Sequence, residues 1–172
     1  MLKVSGVTKR YGKFVAVRGL DLEVQAGQIV GFVGPNGAGK TTTMKMICGL
    51  VRPTEGQIEV DGLDVVERPT EVKSRIGYVP DRPHLYERLT ALEYMYFIAA
   101  LYDMSAEAAK PRSHELLELF DLGEKKNHLI ESFSHGMKQR LVMSSVLLHR
   151  PKLMVVDEPM VGLDPKGARL LK

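Results

Sequence analysis

Residues 34–41 constrain this chain more than any other segment, because they read Gly-Pro-Asn-Gly-Ala-Gly-Lys-Thr and fit the pattern G-x-x-x-x-G-K-[ST] in full. The segment follows an apolar run at 28–33 and precedes apolar residues at helical spacing, which is the strand-loop-helix context that the pattern requires. Glycines let the backbone place successive N–H groups around phosphate oxygens, and the positive end of the following helix attracts the same anion. The segment therefore predicts a phosphate-binding loop.

The polar side chains at the end of this loop have predicted contacts with a nucleotide. Lys40 would reach the β- and γ-phosphates, Thr41 would bind Mg²⁺ and Thr42 would contact the α-phosphate. The whole loop is predicted to bind the nucleotide, through Gly34, Pro35, Asn36, Gly37, Ala38, Gly39, Lys40, Thr41 and Thr42. A chance glycine-rich turn followed by Lys-Thr is the alternative, and the matching flanks count against it.

A second motif lies at 153–158, where four apolar residues end in Asp157 and Glu158. An unbroken apolar run is typical of a parallel strand buried on both faces, and ligands bind at the carboxyl edge of such sheets. Asp157 would hold Mg²⁺, and Glu158 could act as a general base on a water in line with the γ-phosphate. An exposed acidic strand end would be the better interpretation if the phosphate loop were absent.

Composition limits the remaining classes. A length of 172 residues with 44% hydrophobic residues fits one globular domain. Cys48 is the only cysteine, which excludes a disulfide within the chain and favours a reducing compartment. The longest apolar run, 94–102, is about half of the ~20 residues that a membrane-spanning helix needs. The net charge of +3, with both signs interspersed, predicts no nucleic-acid partner.

The pattern along the chain predicts an α/β core interrupted by a helical insertion between about residues 85 and 150. Short strands are predicted at 2–4, 20–24, 28–33, 57–60, 75–79 and 153–156, with a hairpin turn at Asp61-Gly62. A helix follows the phosphate loop, with Gly49 as its terminator. Thr90 and Glu93 form a capping box ahead of a helix over 94–102, and a second helix over 105–122 is expected to be strained or broken at Pro111.

With these motifs in place, nearly the whole chain resembles the ATPase subunit of an ABC transporter. The segment 133–140, Phe-Ser-His-Gly-Met-Lys-Gln-Arg, is similar to the signature of that family, and Ser134 is placed to cap the following helix. The segment 161–164 resembles the family's D-loop, through Gly162, Leu163 and Asp164. Tyr11 stands where the family has an aromatic residue that stacks on adenine, and Asp81 stands in the Q-loop, whose residue contacts Mg²⁺.

The resemblance implies a P-loop NTPase fold of the ABC type, with a core sheet, a β-subdomain and an inserted helical subdomain. It implies one domain over 1–172, with the α/β core at 1–84 and 151–172 and the helical subdomain at 85–150. The implied cofactors are ATP and Mg²⁺. The implied partners are a second ATPase subunit and an integral membrane permease, on the inner face of the cell membrane. In the resulting dimer, the signature residues of one subunit contact the ATP of the other, through Ser134, His135, Gly136 and Met137.

Some residues depart from the family pattern. Asp81 replaces the usual Q-loop glutamine, His135 replaces a glycine and Met137 replaces a glutamine. His135 is expected to be a tolerated residue at the helix start rather than a catalyst, because no metal-ligating partners lie at suitable spacing. No histidine after Asp164 could serve as the family's switch histidine, so the chain is expected to be a truncated form of the domain.

Two other functions stay open at this point. One is an ATP-binding fragment without turnover. The other is a soluble ABC-type ATPase that acts on nucleic acid or ribosomes, for which the long coiled coils or the second cassette of such relatives are missing from the sequence. Export is favoured over import, and the transported substrate is not encoded in these motifs.

Overall fold

The computed structural model describes residues 1–81 and 84–157. Glu158 and the D-loop residues Gly162, Leu163 and Asp164 lie outside the described residues. The described part of the chain divides into two compact units: the first holds Met1–Gly77 with Lys152–Val155, and the second holds the described residues of Tyr78–Pro151 with Val156 and Asp157.

The first unit is built around an antiparallel sheet of four strands in the order β2-β1-β3-β4. The strands are β1 (Leu2–Tyr11), β2 (Phe14–Val24), β3 (Glu55–Val60) and β4 (Leu63–Asp64). The first two strands are much longer than the sequence predicts, because their pairing continues through register shifts to the last pair, Tyr11 with Phe14. Val4, Val7, Ile58 and Val60 form the buried face of this sheet.

The turn between β3 and β4 has the predicted hairpin form. Asp61 and Gly62 both have positive φ, 53° and 77°, as a type I′ turn requires.

Two helices accompany the sheet, α1 (Lys40–Ile47) and α2 (Pro69–Arg75). Met46 and Ile47 of α1 are buried, and the helix ends before Gly49, whose φ is 64°. Gly49 therefore has the terminating role predicted for it.

The predicted strand at 28–33 is wrong. These residues have no regular structure, and Ile29 and Val33 are 91% and 98% exposed. Within the described ranges, residues 29–33 make no backbone hydrogen bond to another segment. A strand exists only as part of a ladder of such bonds, so apolar content alone cannot make one.

A second sheet consists of β5 (Ile76–Val79) and β6 (Leu153–Val156). The amide of Lys152 donates to the carbonyl of Arg75 (2.8 Å), and the amide of Asp157 donates to the carbonyl of Val79 (2.9 Å). From the first of these bonds to the second, the residue numbers increase in both strands. The two strands are therefore parallel, as the sequence predicts for β6.

The second unit is mainly helical, with α3 (Ala91–Leu101), α4 (Ala106–Leu119) and α5 (His135–Val146). All three helices contact one another. Their shared core is apolar and buried, and includes Met95, Leu116, Leu117, Ile130 and Leu141. Burial of such side chains contributes about 1.5–3 kcal/mol each, so packing rather than propensity stabilises these short helices.

Side chains at the helix starts confirm the predicted caps. The Thr90 hydroxyl accepts from the amide of Glu93, whose carboxylate accepts from the amide of Thr90, so the capping box is complete.

Pro111 does not break α4: the helix runs through it to Leu119. Pro111 is exposed while Leu116 and Leu117 are buried, so burial of the opposite face holds the helix together.

Among the described residues, no helix combines the length and the apolar character needed to cross a bilayer.

Candidate nucleotide-binding site

The predicted phosphate loop lies in the first unit and leads directly into α1. Gly39 is the N-cap residue of that helix, and no side chain caps it. The loop closes by a bond from the amide of Ala38 to the carbonyl of Pro35 (3.2 Å). The amides of the first helical turn therefore face the loop rather than a capping side chain, which is the arrangement that attracts an anion.

Gly39 is required here for two independent reasons. Its φ is 84°, in the left-handed region that L side chains rarely adopt. A Cβ at this position would also overlap the carbonyl oxygen of Ala16 and lie 2.9 Å from Cγ2 of Val17, both in β2. The glycine thus allows the start of α1 to pack directly against the β1–β2 hairpin.

Lys40 folds back over the loop. Its Nζ donates to the carbonyl oxygens of Gly34 (2.8 Å) and Pro35 (2.9 Å). An ammonium has three protons, so one donor remains for an oxygen of a bound phosphate. The positive charge is therefore held over the loop, where the sequence predicts the β- and γ-phosphates.

A cavity of about 500 Å³ lies between the start of α1 and β2. Apolar side chains, among them Val15, Val17 and Phe32, line it together with two cations, Arg18 and Lys40. Apolar side chains beside two cations can contact a small organic anion. The sequence pattern did not single out Arg18, because its approach to the loop depends on the pairing of distant segments.

Tyr11, the predicted adenine-stacking residue, ends β1 in the same unit and is 50% exposed. The Nζ atom of Lys9 lies over its ring, 5.0 Å from the ring centroid. Sequence reasoning missed Lys9. Lys9 and Tyr11 are two positions apart, a spacing that in a regular strand places two side chains on the same face. This signal could not be used, because the strand was predicted to end at Val4.

The predicted Mg²⁺ ligands fall in both units. Thr41 is exposed at the start of α1 in the first unit, whereas Asp81 and buried Asp157 belong to the second. Asp157 is paired through its amide to Val79, so the ends of β5 and β6 bring Asp157 and Asp81 to one edge of their sheet. Among the described residues, no three His, Cys, Asp or Glu side chains gather into a metal site. Mg²⁺ commonly binds one or two carboxylates together with phosphates, and Asp81 and Asp157 supply two carboxylates at one edge of their sheet.

The signature segment forms the start of α5 in the second unit. Ser134 caps the helix by accepting from the amide of Met137 (3.3 Å), as predicted. His135 is the first helical residue and is exposed, while Gly136 and Met137 are half-buried. Lys138 pairs with Glu87, which fixes this first turn to the segment that precedes α3. A serine hydroxyl that accepts in a cap keeps its own proton to donate to an anion.

Comparison with known proteins identifies the family to which these motifs belong. A family model described as ABC transporter matches residues 17–161. The linearmycin resistance ATP-binding protein LnrL of Bacillus subtilis is 41% identical over 167 residues, which cover 97% of this chain and 54% of that protein. The bacitracin transport ATP-binding protein BcrA of Bacillus licheniformis is 40% identical over 172 residues, 100% of this chain and 55% of that protein. The chain thus spans about half the length of these relatives.

Solved structures agree with the sequence relatives. The structure of an ATP-binding subunit of an ABC transporter superposes with a TM-score of 0.91 at 34% identity, and covers 99% of this chain and 71% of its own. A bacterial ABC transporter cassette, MJ0796, solved as a dimer, gives a TM-score of 0.89 at 29% identity, with 99% of this chain and 79% of its own covered. The predicted α/β fold of the ABC ATPase type is therefore confirmed.

Proposed function

The chain belongs to the ABC transporter family of ATP-binding proteins, and from that premise we propose that it binds and hydrolyses ATP to drive transport through a separate membrane permease. The observation that carries this proposal is the geometry of the phosphate loop. Lys40 is folded over a complete G-x-x-x-x-G-K-[ST] loop at the start of α1, beside a cavity that holds a second cation, Arg18.

In the proposed nucleotide complex, the loop amides and Lys40 bind the phosphates, and Tyr11 stacks on the adenine. Thr41, Asp81 and Asp157 are the residues that would hold Mg²⁺, which neutralises charge on the phosphate oxygens. Glu158 would accept the proton of the attacking water as a general base. Asp81 is an acidic residue at the position where the family has the amide of glutamine. It would therefore serve as a ligand of the metal rather than as a residue that orients the attacking water.

We further propose that two copies pair, with the signature segment of one copy on the ATP of the other. The Ser134 hydroxyl, the amides at the start of α5 and the positive end of that helix would contact the γ-phosphate. MJ0796, a structural neighbour, has been solved as a dimer and also as a dimer bound to ADP and phosphate. The proposed partners are thus a second copy and a permease, at the cytoplasmic face of the membrane.

Export is the proposed direction of transport. One relative is named for resistance to linearmycin, and a protein that confers resistance by transport must move the compound away from its target. The other is named for transport of bacitracin. We propose that the permease, rather than this chain, selects the transported compound.

Release of inorganic phosphate from ATP tests the proposed hydrolysis. The chain should release phosphate with Mg²⁺ present, and Glu158→Gln should lower the rate at least about 100-fold, as for loss of a general base. In size-exclusion chromatography with ATP and Mg²⁺, Glu158→Gln should elute as a dimer and Glu158→Gln with Ser134→Ala as a monomer. If the chain binds ATP but releases no phosphate, it is an ATP-binding protein without turnover, and the proposed hydrolysis is contradicted. A monomer for Glu158→Gln at all ATP concentrations would contradict the paired arrangement.

A further inference from the structure

Lys9 has a contact that the predicted ATP-binding residues do not explain. It lies two positions before Tyr11 on β1, and the two side chains are in contact although the pairing with β2 shifts register between Lys9 and Arg10. Its Nζ atom lies 5.0 Å from the centroid of the Tyr11 ring. This distance is within the range of about 6 Å over which an ammonium is attracted to the face of an aromatic ring.

The ammonium of Lys9 is itself held in place. It donates a hydrogen bond to the carbonyl oxygen of Arg52 (2.8 Å), on the segment that follows α1. The Lys9 side chain is half-buried, whereas half of the Tyr11 side chain is exposed. A fixed cation therefore lies against a ring that is half exposed.

We propose that Lys9 is a positioning residue for the adenine base: its ammonium fixes one face of the Tyr11 ring and leaves the opposite face for the purine. The inference rests on the proposed function, since it concerns how Tyr11 receives ATP. A tyrosine at the end of a strand can turn between rotamers, and the contact with Lys9 favours the one seen in this structure. Holding that rotamer before ATP arrives raises the fraction of the protein that is competent to bind.

The size of the effect is limited by the strength of the contact. A cation–π contact at a partly exposed site corresponds to a change in population of about two- to fivefold. The loss of ATP affinity on removing the cation cannot exceed that factor if positioning is the whole effect. Binding of the phosphates should be unchanged, because they are held by the loop and Lys40.

Isothermal titration of the chain with ATP and with inorganic tripolyphosphate tests this inference. Lys9→Met removes the charge and keeps the length of the side chain, Lys9→Arg keeps a cation, and Lys3→Met removes an exposed lysine from the same strand as the control. We expect Lys9→Met to weaken ATP binding by about two- to fivefold and to leave tripolyphosphate binding unchanged. Lys9→Arg and Lys3→Met should bind both ligands as the wild type does.

A second pair of variants links the effect to the ring. In a Tyr11→Leu background, Lys9→Met should cause no further loss of ATP affinity, because a double-mutant cycle isolates the contact between the two residues. An equal loss in that background would overturn the inference, as would equal weakening of ATP and tripolyphosphate. Tighter ATP binding by Lys9→Met would also overturn it, since the ammonium would then cover the face that adenine needs.

The wild type separates failure of this inference from failure of the proposed function. If the wild type binds ATP more tightly than tripolyphosphate and Lys9→Met keeps that difference in full, only the role of Lys9 is refuted. If the wild type binds ATP no more tightly than tripolyphosphate, the adenine contact of Tyr11 is refuted and Lys9 has no base to position. Absence of ATP binding would refute the proposed function and the inference together.

Discussion

Replacing Gly39 with alanine should destabilise the protein far more than the same change at Gly37. Both glycines belong to the phosphate loop and both have positive φ, 84° and 80°. A Cβ on Gly37 would meet nothing within 4 Å, whereas a Cβ on Gly39 would overlap the carbonyl of Ala16. The pair therefore separates the cost of backbone conformation from the cost of close packing.

The expected magnitudes follow from these contacts. A left-handed backbone costs an L residue about 1–2 kcal/mol, which is the full effect expected for Gly37→Ala. Overpacking adds about 1–3 kcal/mol for Gly39→Ala. The neighbouring atom is the backbone carbonyl of Ala16, which lies between Val15 and Val17, and both of those residues pair with β1, so the carbonyl cannot move far without disturbing these pairs. Gly39→Ala should thus lower the free energy of unfolding by about 2–5 kcal/mol.

Urea denaturation followed by far-UV circular dichroism measures both changes. The m-value should be the same for the wild type and both variants, so that the midpoints report stability. A free energy of unfolding for Gly39→Ala equal to that of Gly37→Ala would refute the reasoning. It would mean that α1 does not pack closely against the β1–β2 hairpin.

Other predictions concern the caps and the titrating groups. Thr90→Ala should lower the free energy of unfolding by about 1 kcal/mol and Thr90→Ser should restore it, because only the hydroxyl caps α3; equal stability of all three proteins in urea would contradict the capping box. The hydrogen bond from Lys152 and the nearby charge of Arg75 lower the pKa of Asp61, despite an opposing effect of desolvation. The pKa of Asp61 is lower in the folded than in the unfolded protein. The stabilisation that ionised Asp61 contributes is therefore complete above about pH 4 and is lost as the pH falls through the pKa of the folded protein. Denaturation from pH 6 down to pH 2 should therefore show a smaller loss of stability for Asp61→Asn than for the wild type, and identical slopes would contradict the pairing. Burial raises the pKa of the Cys48 thiol to about 12, so at pH 8 the native protein should react with a disulfide reagent far more slowly than the denatured protein; equal rates would show that Cys48 is accessible.

Local signals in the sequence predicted the local parts of the structure. The phosphate loop leads into α1, the Asp61-Gly62 turn joins two strands, and Thr90 and Ser134 cap their helices. Each of these features is set by residues within a few positions of one another. A sequence can therefore report them without knowledge of the rest of the fold.

Features that depend on distant segments were predicted poorly. Residues 28–33 have the composition of a buried strand but no ladder among the described residues, and composition carries no information on partners. The extension of β1 to Tyr11 depends on register shifts that a regular alternation does not reveal. The contact of Lys9 with Tyr11 followed from that extension, and so it became visible only in the structure.

Equilibrium titration with ATP and Mg²⁺ tests the central claim, which is that the phosphate loop of this chain binds ATP. The wild type is compared with Lys40→Ala, which removes the ammonium over the loop, and with Lys45→Ala, which removes an exposed lysine from the same helix. A hydrogen bond to a charged group contributes about 1.5–3 kcal/mol, so Lys40→Ala should weaken binding at least about tenfold. Lys45→Ala should bind ATP as the wild type does. Equal affinity of the wild type and Lys40→Ala would contradict the account.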